Sequence, residues 1–231
     1  MANKSAKQKL VVLTGAGISA ESGLATFRDT NGLWKQYDAK KLASLDGFKE
    51  NPQAVLDFYN YRRNELLNAK PNYAHLLLAE LEKYYKVTII TQNVDNLHER
   101  AGSTHVIHLH GELTKVTSSK DKLNPRYIKD YPLNIPIRIG DKAGDDSQLR
   151  PFIVWFGESV YAMEVAIDWI TDADIFIVIG TSLAVYPAAN LVEYVRSEAI
   201  KFIIDPTDLS AKLPNGFSHI QDYATSGVKR L

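Results

Sequence analysis

Hydrophobic positions fall into two alternating rhythms along the chain. Short continuous runs rich in branched residues occur at 10–13, 87–90, 106–109, 175–179 and 202–204. Such runs read as strands buried on both faces. Between them, apolar residues recur at helical spacing: Val55, Leu56, Tyr59 and Leu66 within 52–67, Leu77, Leu78 and Leu81 within 74–81, and Leu191, Val192 and Val195 within 190–196. The alternation predicts an α/β fold, a Rossmann-like parallel sheet with helices on both faces. It breaks at 114–150, which is polar, carries Pro125, Pro132 and Pro136, and contains a charged turn at 141–146. Only 135–139 alternates there, like a short exposed strand. The expected organisation is one domain over 1–231. Its large part comprises 1–113 and 151–231, with a small inserted module at about 114–150 and a helical insertion at about 35–73.

Composition narrows the function classes. Lys+Arg and Asp+Glu each total 27 in 231 residues. A net charge of zero argues against a general attraction to nucleic acid or anionic lipid, so neither is expected as a partner. No apolar run approaches the ~20 residues of a membrane helix. The polar, basic first residues lack the apolar segment of a signal peptide, so a cytoplasmic, monomeric protein is expected. There is no cysteine, which excludes disulfides, a thiol nucleophile and any Cys-ligated zinc or iron–sulfur site.

Candidate chemistry begins where the first strand ends. Gly15, Gly17 and Ala20 form G-x-G-x-x-A directly after it. Glycines there let backbone approach a pyrophosphate at a helix N-terminus, though a tight turn without a ligand has the same pattern. A dehydrogenase would add an acidic residue at the end of a second strand ~20 residues on. The segment at 32–38 is not a strand, so the loop indicates a dinucleotide without the layout for hydride transfer. Gln92, Asn93 and Asp95 follow the strand at 87–90; Asn93 or Asp95 caps the next helix, binds a ligand, or does both. The histidines at 105, 108 and 110 are read as having no carboxylate or thiol close by in sequence. On a strand, His108 and His110 share a face opposite His105. No metal site is expected, and His108 is read as a packing residue.

Five segments in order then resemble one family. Gly15-Ala16-Gly17-Ile18-Ser19-Ala20-Glu21-Ser22-Gly23-Leu24-Ala25-Thr26-Phe27-Arg28 resembles the first signature of the sirtuins, the Sir2 family of NAD-dependent protein-lysine deacylases. Thr91-Gln92-Asn93-Val94-Asp95-Asn96-Leu97-His98 and His108-Leu109-His110-Gly111-Glu112-Leu113 resemble the second and third, Phe156-Gly157-Glu158 and Gly180-Thr181-Ser182-Leu183 the fourth and fifth. Each is short; the ordered set is specific.

The resemblance implies a single sirtuin catalytic domain using NAD as a co-substrate. The acyl-lysine oxygen displaces nicotinamide from the ribose, a base activates a ribose hydroxyl, and the products are free lysine and 2′-O-acyl-ADP-ribose. It implies catalytic roles for His110, the base, and Asn93, which orients the ribose and a water. A histidine suits a base working near pH 7. Gln92, Asn93, Val94 and Asp95 would face the ribose and nicotinamide, with Asp95 on the carboxamide. Gly15, Ala16, Gly17, Ser19 and Glu21 would form the NAD loop, and Phe27, Arg28 and Trp34 would cover the reactive ribose. Gly180, Thr181 and Ser182 would take phosphate, although Gly-Thr-Ser is also a common turn and cap. Asp205, where the family more often has Asn, would face the adenine ribose and favour NAD over NADP. Ala224 would lie at the adenine. Val154, Phe156, Gly157 and Glu158 would pair with an acylated-lysine protein or peptide as an added strand.

Two features set the chain apart. Zinc-bearing relatives place their first cysteine eight residues after the catalytic histidine, where this chain has Ser118. A zinc-independent sirtuin is expected, its module packed by Tyr127, Tyr131, Leu133, Ile135, Ile137 and Ile139. The second feature is Tyr59 and Arg62, which share a helix face and match the Tyr-x-x-Arg pair of desuccinylase-type sirtuins. There the pair grips the carboxylate of succinyl-, malonyl- or glutaryl-lysine, and Ala39 would supply a small wall. The same spacing also fits an amphipathic helix with a buried Tyr and a solvated Arg. Protein mono-ADP-ribosyl transfer and non-catalytic NAD or ADP-ribose sensing are the competing functions.

Overall fold

The structure is a computed structural model that describes residues 7–26, 39–181, 183 and 185–231. Six parallel strands make the main sheet: β1 (Lys9–Thr14), β2 (Lys86–Thr91), β3 (Val106–His108), β7 (Ile175–Ile179), β8 (Ile200–Ile204) and β9 (Ser218–Ile220). Their order is β3-β2-β1-β7-β8-β9. Successive residues of β1 serve opposite faces. Val11 and Leu13 pack with Ala166 and Ile170 of helix Met163–Thr171, while Leu10 and Val12 pack with Ile18, Ala74 and Leu78. This doubly covered parallel sheet is the Rossmann-like arrangement that the apolar runs predict.

The strand order reverses between β1 and β7. In open α/β sheets a crevice forms at such a point, beyond the carboxyl ends of the strands. The segments leaving β1 and β7 are 15–20 and 180–183.

The helices at 52–67 and 74–81 are observed as Pro52–Asn68 and Tyr73–Leu81. The longer one starts where Asn51 Oδ1 accepts from Ala54 N at 3.0 Å and proline takes the first turn, which needs no N–H donor there. The pattern at 190–196 forms a 3₁₀ helix, Ala188–Tyr194, instead of an α-helix. No helix among the described residues is long and apolar enough to cross a membrane.

A three-stranded antiparallel sheet holds the small module: β4 (Gly111–Ser118), β5 (Lys129–Asp130) and β6 (Leu149–Ile153), in the order β5-β4-β6. It begins and ends three residues outside the expected 114–150. The strand expected at 135–139 does not form. Pro136 has no N–H to donate, and the Asn60 side chain satisfies Ile137 instead, accepting from its N at 2.8 Å and donating to its O at 2.9 Å. Ile137 is buried, but Ile135 and Ile139 are exposed, so packing by that segment is only part of what holds the module.

Polar clasps supply the rest. Arg63, fully buried, donates to Leu113 O and Pro132 O, both at 2.6 Å. Ser118 Oγ donates to Asp145 Oδ2 at 2.7 Å and accepts from the N–H groups of Lys120 and Asp121 at 3.0 and 2.9 Å. The hydroxyls of Ser118 and Ser147 hold the Asp145 carboxyl below its usual range. Ser118 is the fully buried member of this knot, and Asp145 and Ser147 are half-buried.

Candidate active site

Three glycines bring the two segments of the crevice together. Gly15 N donates to Ile179 O at 3.0 Å and Gly17 N to Gly180 O at 2.8 Å. A Cβ on Gly17 would meet Gly180 Cα at 2.7 Å, and one on Gly180, which has φ +62°, would meet Ile18 N at 2.4 Å. Backbone therefore lies against backbone, and only glycine permits it. The cradle opens into a cavity of about 930 Å³, near the upper limit for ligand clefts of ~1,000 Å³. A dinucleotide fits the space.

The loop after β2 forms one wall. Asn93 N donates to Thr91 Oγ1 at 3.0 Å, and its Nδ2 donates to Gly15 O and Ser19 Oγ at 3.0 and 3.2 Å. Oδ1 is what this side chain has left to offer a ligand. Ser19 Oγ donates to Asp95 Oδ2 at 3.0 Å, and Leu97 N donates to Asp95 Oδ1 at 3.1 Å. Asp95 thus holds the first N–H of helix Leu97–Ala101 from the position before its N-cap, Asn96, and faces the cavity as well. Burial pushes its carboxyl up. Gln92 Nε2 donates to Thr181 Oγ1 at 3.1 Å, joining this loop to the one after β7.

His110 sits between β3 and β4 rather than on a strand, because β3 ends at His108. Its Nδ1 lies 3.0 Å from Gln92 O. A carbonyl only accepts, so Nδ1 carries the hydrogen and Nε2 is the basic nitrogen. Burial lowers its pKa against the opposing Gln92 bond, and a neutral ring is the form a base requires. His108 differs from the packing residue expected. It bonds Asn93 O at 3.1 Å and Glu99 Oε1 at 2.7 Å. Glu112, two residues after His110, also approaches it. The histidines thus do have carboxylate neighbours, and the reading that none lay close is corrected.

The same cavity is also lined by Tyr59 and Arg62 with Phe58, Leu113, Ile153 and Trp155. Both are buried, at 5% and 8% exposure, so Arg62 is not solvated. Burial pushes the Tyr59 phenol up to about 12, which keeps it a neutral donor. Burial also lowers Arg62, and the Glu65 carboxylate, 3.4 Å from its Nε, opposes this.

Val154, Phe156, Gly157 and Glu158 line the same cavity. Phe156 N already donates to Ala43 O at 2.8 Å, and Phe156 O accepts from Leu45 N at 3.4 Å. An added strand must use other main-chain groups here or displace these. The Glu158 carboxylate accepts from Arg150 Nη1 at 2.8 Å and Trp155 N at 2.8 Å, with Lys122 Nζ 3.0 Å away. The carboxylate is thus held by three donors within the cavity wall. The buried Arg150, whose guanidinium carbon lies 3.2 Å from the Trp155 ring centroid, escaped the sequence reading; its signal is a charged residue inside the apolar strand at 149–153.

Gly15, Ala16, Gly17, Ser19, Val94, Thr181, Asp205 and Ala224 also line the cavity. Asp205 Oδ1 accepts from Thr207 N at 2.9 Å. Glu21 does not line it; its carboxylate accepts from Thr225 N at 2.9 Å and ties the first helix to the C-terminal one. Phe27, Arg28, Trp34 and Ser182 lie outside the described residues, as does the Ala39 side chain.

Sheet reversal, glycine cradle and cavity together define a Rossmann-like nucleotide-binding type of protein. A model of the Sir2 family matches residues 15–187. An NAD-dependent protein deacylase of Bacteroides thetaiotaomicron is 55% identical over 225 residues, covering 97% of this chain and 96% of the relative. Another of Helicobacter pylori is 52% identical, with the same coverage. Among solved structures, a Sir2 homologue in complex with NAD is similar at TM-score 0.85 and 38% identity, over 97% of this chain and 88% of that one. A Sir2 variant with a deacetylated p53 peptide and 3′-O-acetyl ADP-ribose gives 0.80 and 33%, over 97% and 92%. The chain belongs to the Sir2 family.

Proposed function

We propose that this chain is an NAD-dependent protein-lysine deacylase that removes succinyl and malonyl groups, and acetyl as well. The observation that carries this reading is one cavity that joins a glycine cradle and a neutral, tautomer-fixed His110 to a buried Tyr59–Arg62 pair. The deacylase names of relatives above 50% identity support the class.

NAD supplies an electrophilic ribose carbon and the ribose hydroxyl that takes the acyl group. His110 Nε2 accepts the proton of that hydroxyl, while the Gln92 carbonyl keeps Nδ1 protonated. Asn93 Oδ1 orients the ribose side, its amide nitrogen being held by Gly15 and Ser19. Asp95 accepts from the nicotinamide carboxamide, since each of its oxygens keeps a second lone pair. Phe58, Leu113, Ile153 and Trp155 exclude water around the acyl chain. Arg62 meets the terminal carboxylate through a charge-assisted contact, and the Tyr59 hydroxyl donates to the same group. Phe27, Arg28, Trp34 and Ser182 belong to this reading on their motifs alone. A cytoplasmic, monomeric, zinc-independent enzyme completes it.

The test is nicotinamide release from NAD with and without an acyl-lysine peptide. Release that depends on the peptide, with an equal amount of free lysine formed, supports deacylation. Release without the peptide, with a labelled protein acceptor, would transfer the function to ADP-ribosylation. Tight NAD binding with no release would make the chain a sensor.

A further inference from the structure

His108 and His110 make the same bond to consecutive carbonyls. His110 Nδ1–H donates to Gln92 O at 3.0 Å, and His108 Nδ1–H to Asn93 O at 3.1 Å. The rings differ at Nε2. That of His110 is left for chemistry in the cavity, whereas that of His108 bonds Glu99 Oε1 at 2.7 Å. Both partners of His108 are acceptors, so both its nitrogens carry hydrogen and the ring is an imidazolium. The ring is 8% exposed, and nothing in the deacylation reading uses it.

We propose that the Glu99–His108 ion pair is a positioning device for the nicotinamide-ribose subsite: the imidazolium pins the Asn93 carbonyl and thereby aims the Asn93 side chain. This rests on reading Asn93 as an NAD contact. The other anchors of Asn93 are neutral: Thr91 Oγ1 on its N–H, Gly15 O and Ser19 Oγ on its Nδ2. The carbonyl anchor is the charged one, and charge-assisted bonds are roughly twice as strong. Glu99 lies on helix Leu97–Ala101, whose first N–H is held by Asp95. The pair therefore couples that helix, β3 and the Asn93 loop.

Other groups around the ring fit this role. Glu112 and, more remotely, Asp95 and His98 face it, and Lys115 Nζ binds Glu112 Oε1 at 2.7 Å. Glu99, His108 and Glu112 place three ligand atoms within 4.8 Å of one another. The imidazolium and the Lys115 ammonium already neutralise both carboxylates, so the cluster is a set of ion pairs. Burial opposes the charge on His108, but Glu99 outweighs it and its pKa is raised; Glu99, against its own burial, is lowered by His108. A His108 that loses its proton cannot donate to both Asn93 and Glu99, so the anchor weakens as pH rises through that raised pKa.

The test compares wild type, Glu99→Gln and Glu99→Asp. Imidazole NMR follows His108, and calorimetry measures NAD affinity, from roughly pH 6 to 9. Glu99→Gln is expected to weaken NAD binding about tenfold and to move the His108 titration down, with Glu99→Asp recovering most of both. In wild type, affinity falls on the alkaline side with the His108 midpoint, and in turnover KM for NAD rises while kcat is largely kept. A Glu99→Gln variant that shifts His108, or melts earlier, yet binds NAD like wild type across this range would overturn the proposal. Binding is read without turnover, so that result leaves the deacylase reading standing; a wild-type chain that binds no NAD would end both.

Discussion

Arg62 and Arg63 are neighbours on one helix and both are buried, yet their charges serve different ends. Arg62 lines the cavity beside Glu65, while Arg63 turns the other way and clasps the carbonyls of Leu113 and Pro132. A helix turns about 100° per residue, so one sequence step separates the cavity wall from anchoring of the small module.

Replacing Arg62 by methionine keeps most of the volume and removes the cation. Desuccinylation should fall about 100-fold, the loss of a charge-assisted two-point contact. Deacetylation should change by no more than about threefold. Steady-state kinetics on the two peptides check this, and equal losses would remove Arg62 from acyl recognition.

Arg63→Met should destabilise the fold by about 3 kcal/mol, because buried carbonyls lose their donor. For a chain of this size that is a fall in melting temperature of roughly 8 °C. Ser118→Ala should act in the same direction by opening the Asp145 knot. A chelator should leave the wild-type melting curve in place; a lower melting temperature with chelator would mean that a metal holds the module.

His110→Ala should lower turnover about 1,000-fold, as expected for loss of a general base. NAD affinity should stay within about threefold, since the glycine cradle is untouched. The wild-type acid limb should lie below the usual histidine value, because burial lowers His110. An acid limb above pH 7 would exclude it as the base.

Two further buried histidines set acid stability. His75 and His98 have ring centroids 4.8 Å apart, and burial lowers both, His75 from 6.5 to about 4. The unfolded chain takes up protons below pH 6.5 that the folded chain refuses until about pH 4. Stability should therefore be full above that window and fall through it as pH drops, by about 3 kcal/mol for His75 alone. Denaturant melts at several pH values check the slope, which His75→Gln should flatten.

Much of the fold was legible because its signals are local. Branched runs become the central strands, and Gly15 and Gly17 mark the turn where β1 meets β7. Contacts made between elements were not legible. The Glu99–His108 pair joins a helix to a strand, and the knot at Ser118 closes only when Asp145 returns to it. The alternation at 135–139 looked like a strand, but the Asn60 amide took the place of a neighbouring strand. The main chain of Phe156 was expected to be free for a substrate, yet it pairs with 43–45. Glu21 matched a family motif and instead braces Thr225.

The most direct measurement is mass spectrometry of matched succinyl-lysine and acetyl-lysine peptides, each incubated with the protein and NAD. Faster succinyl removal, with nicotinamide and O-succinyl-ADP-ribose formed in equal amounts, is the expected result. Acetyl removal alone would contradict the Tyr59–Arg62 assignment, and no removal from either peptide while NAD still binds would contradict the deacylase reading itself.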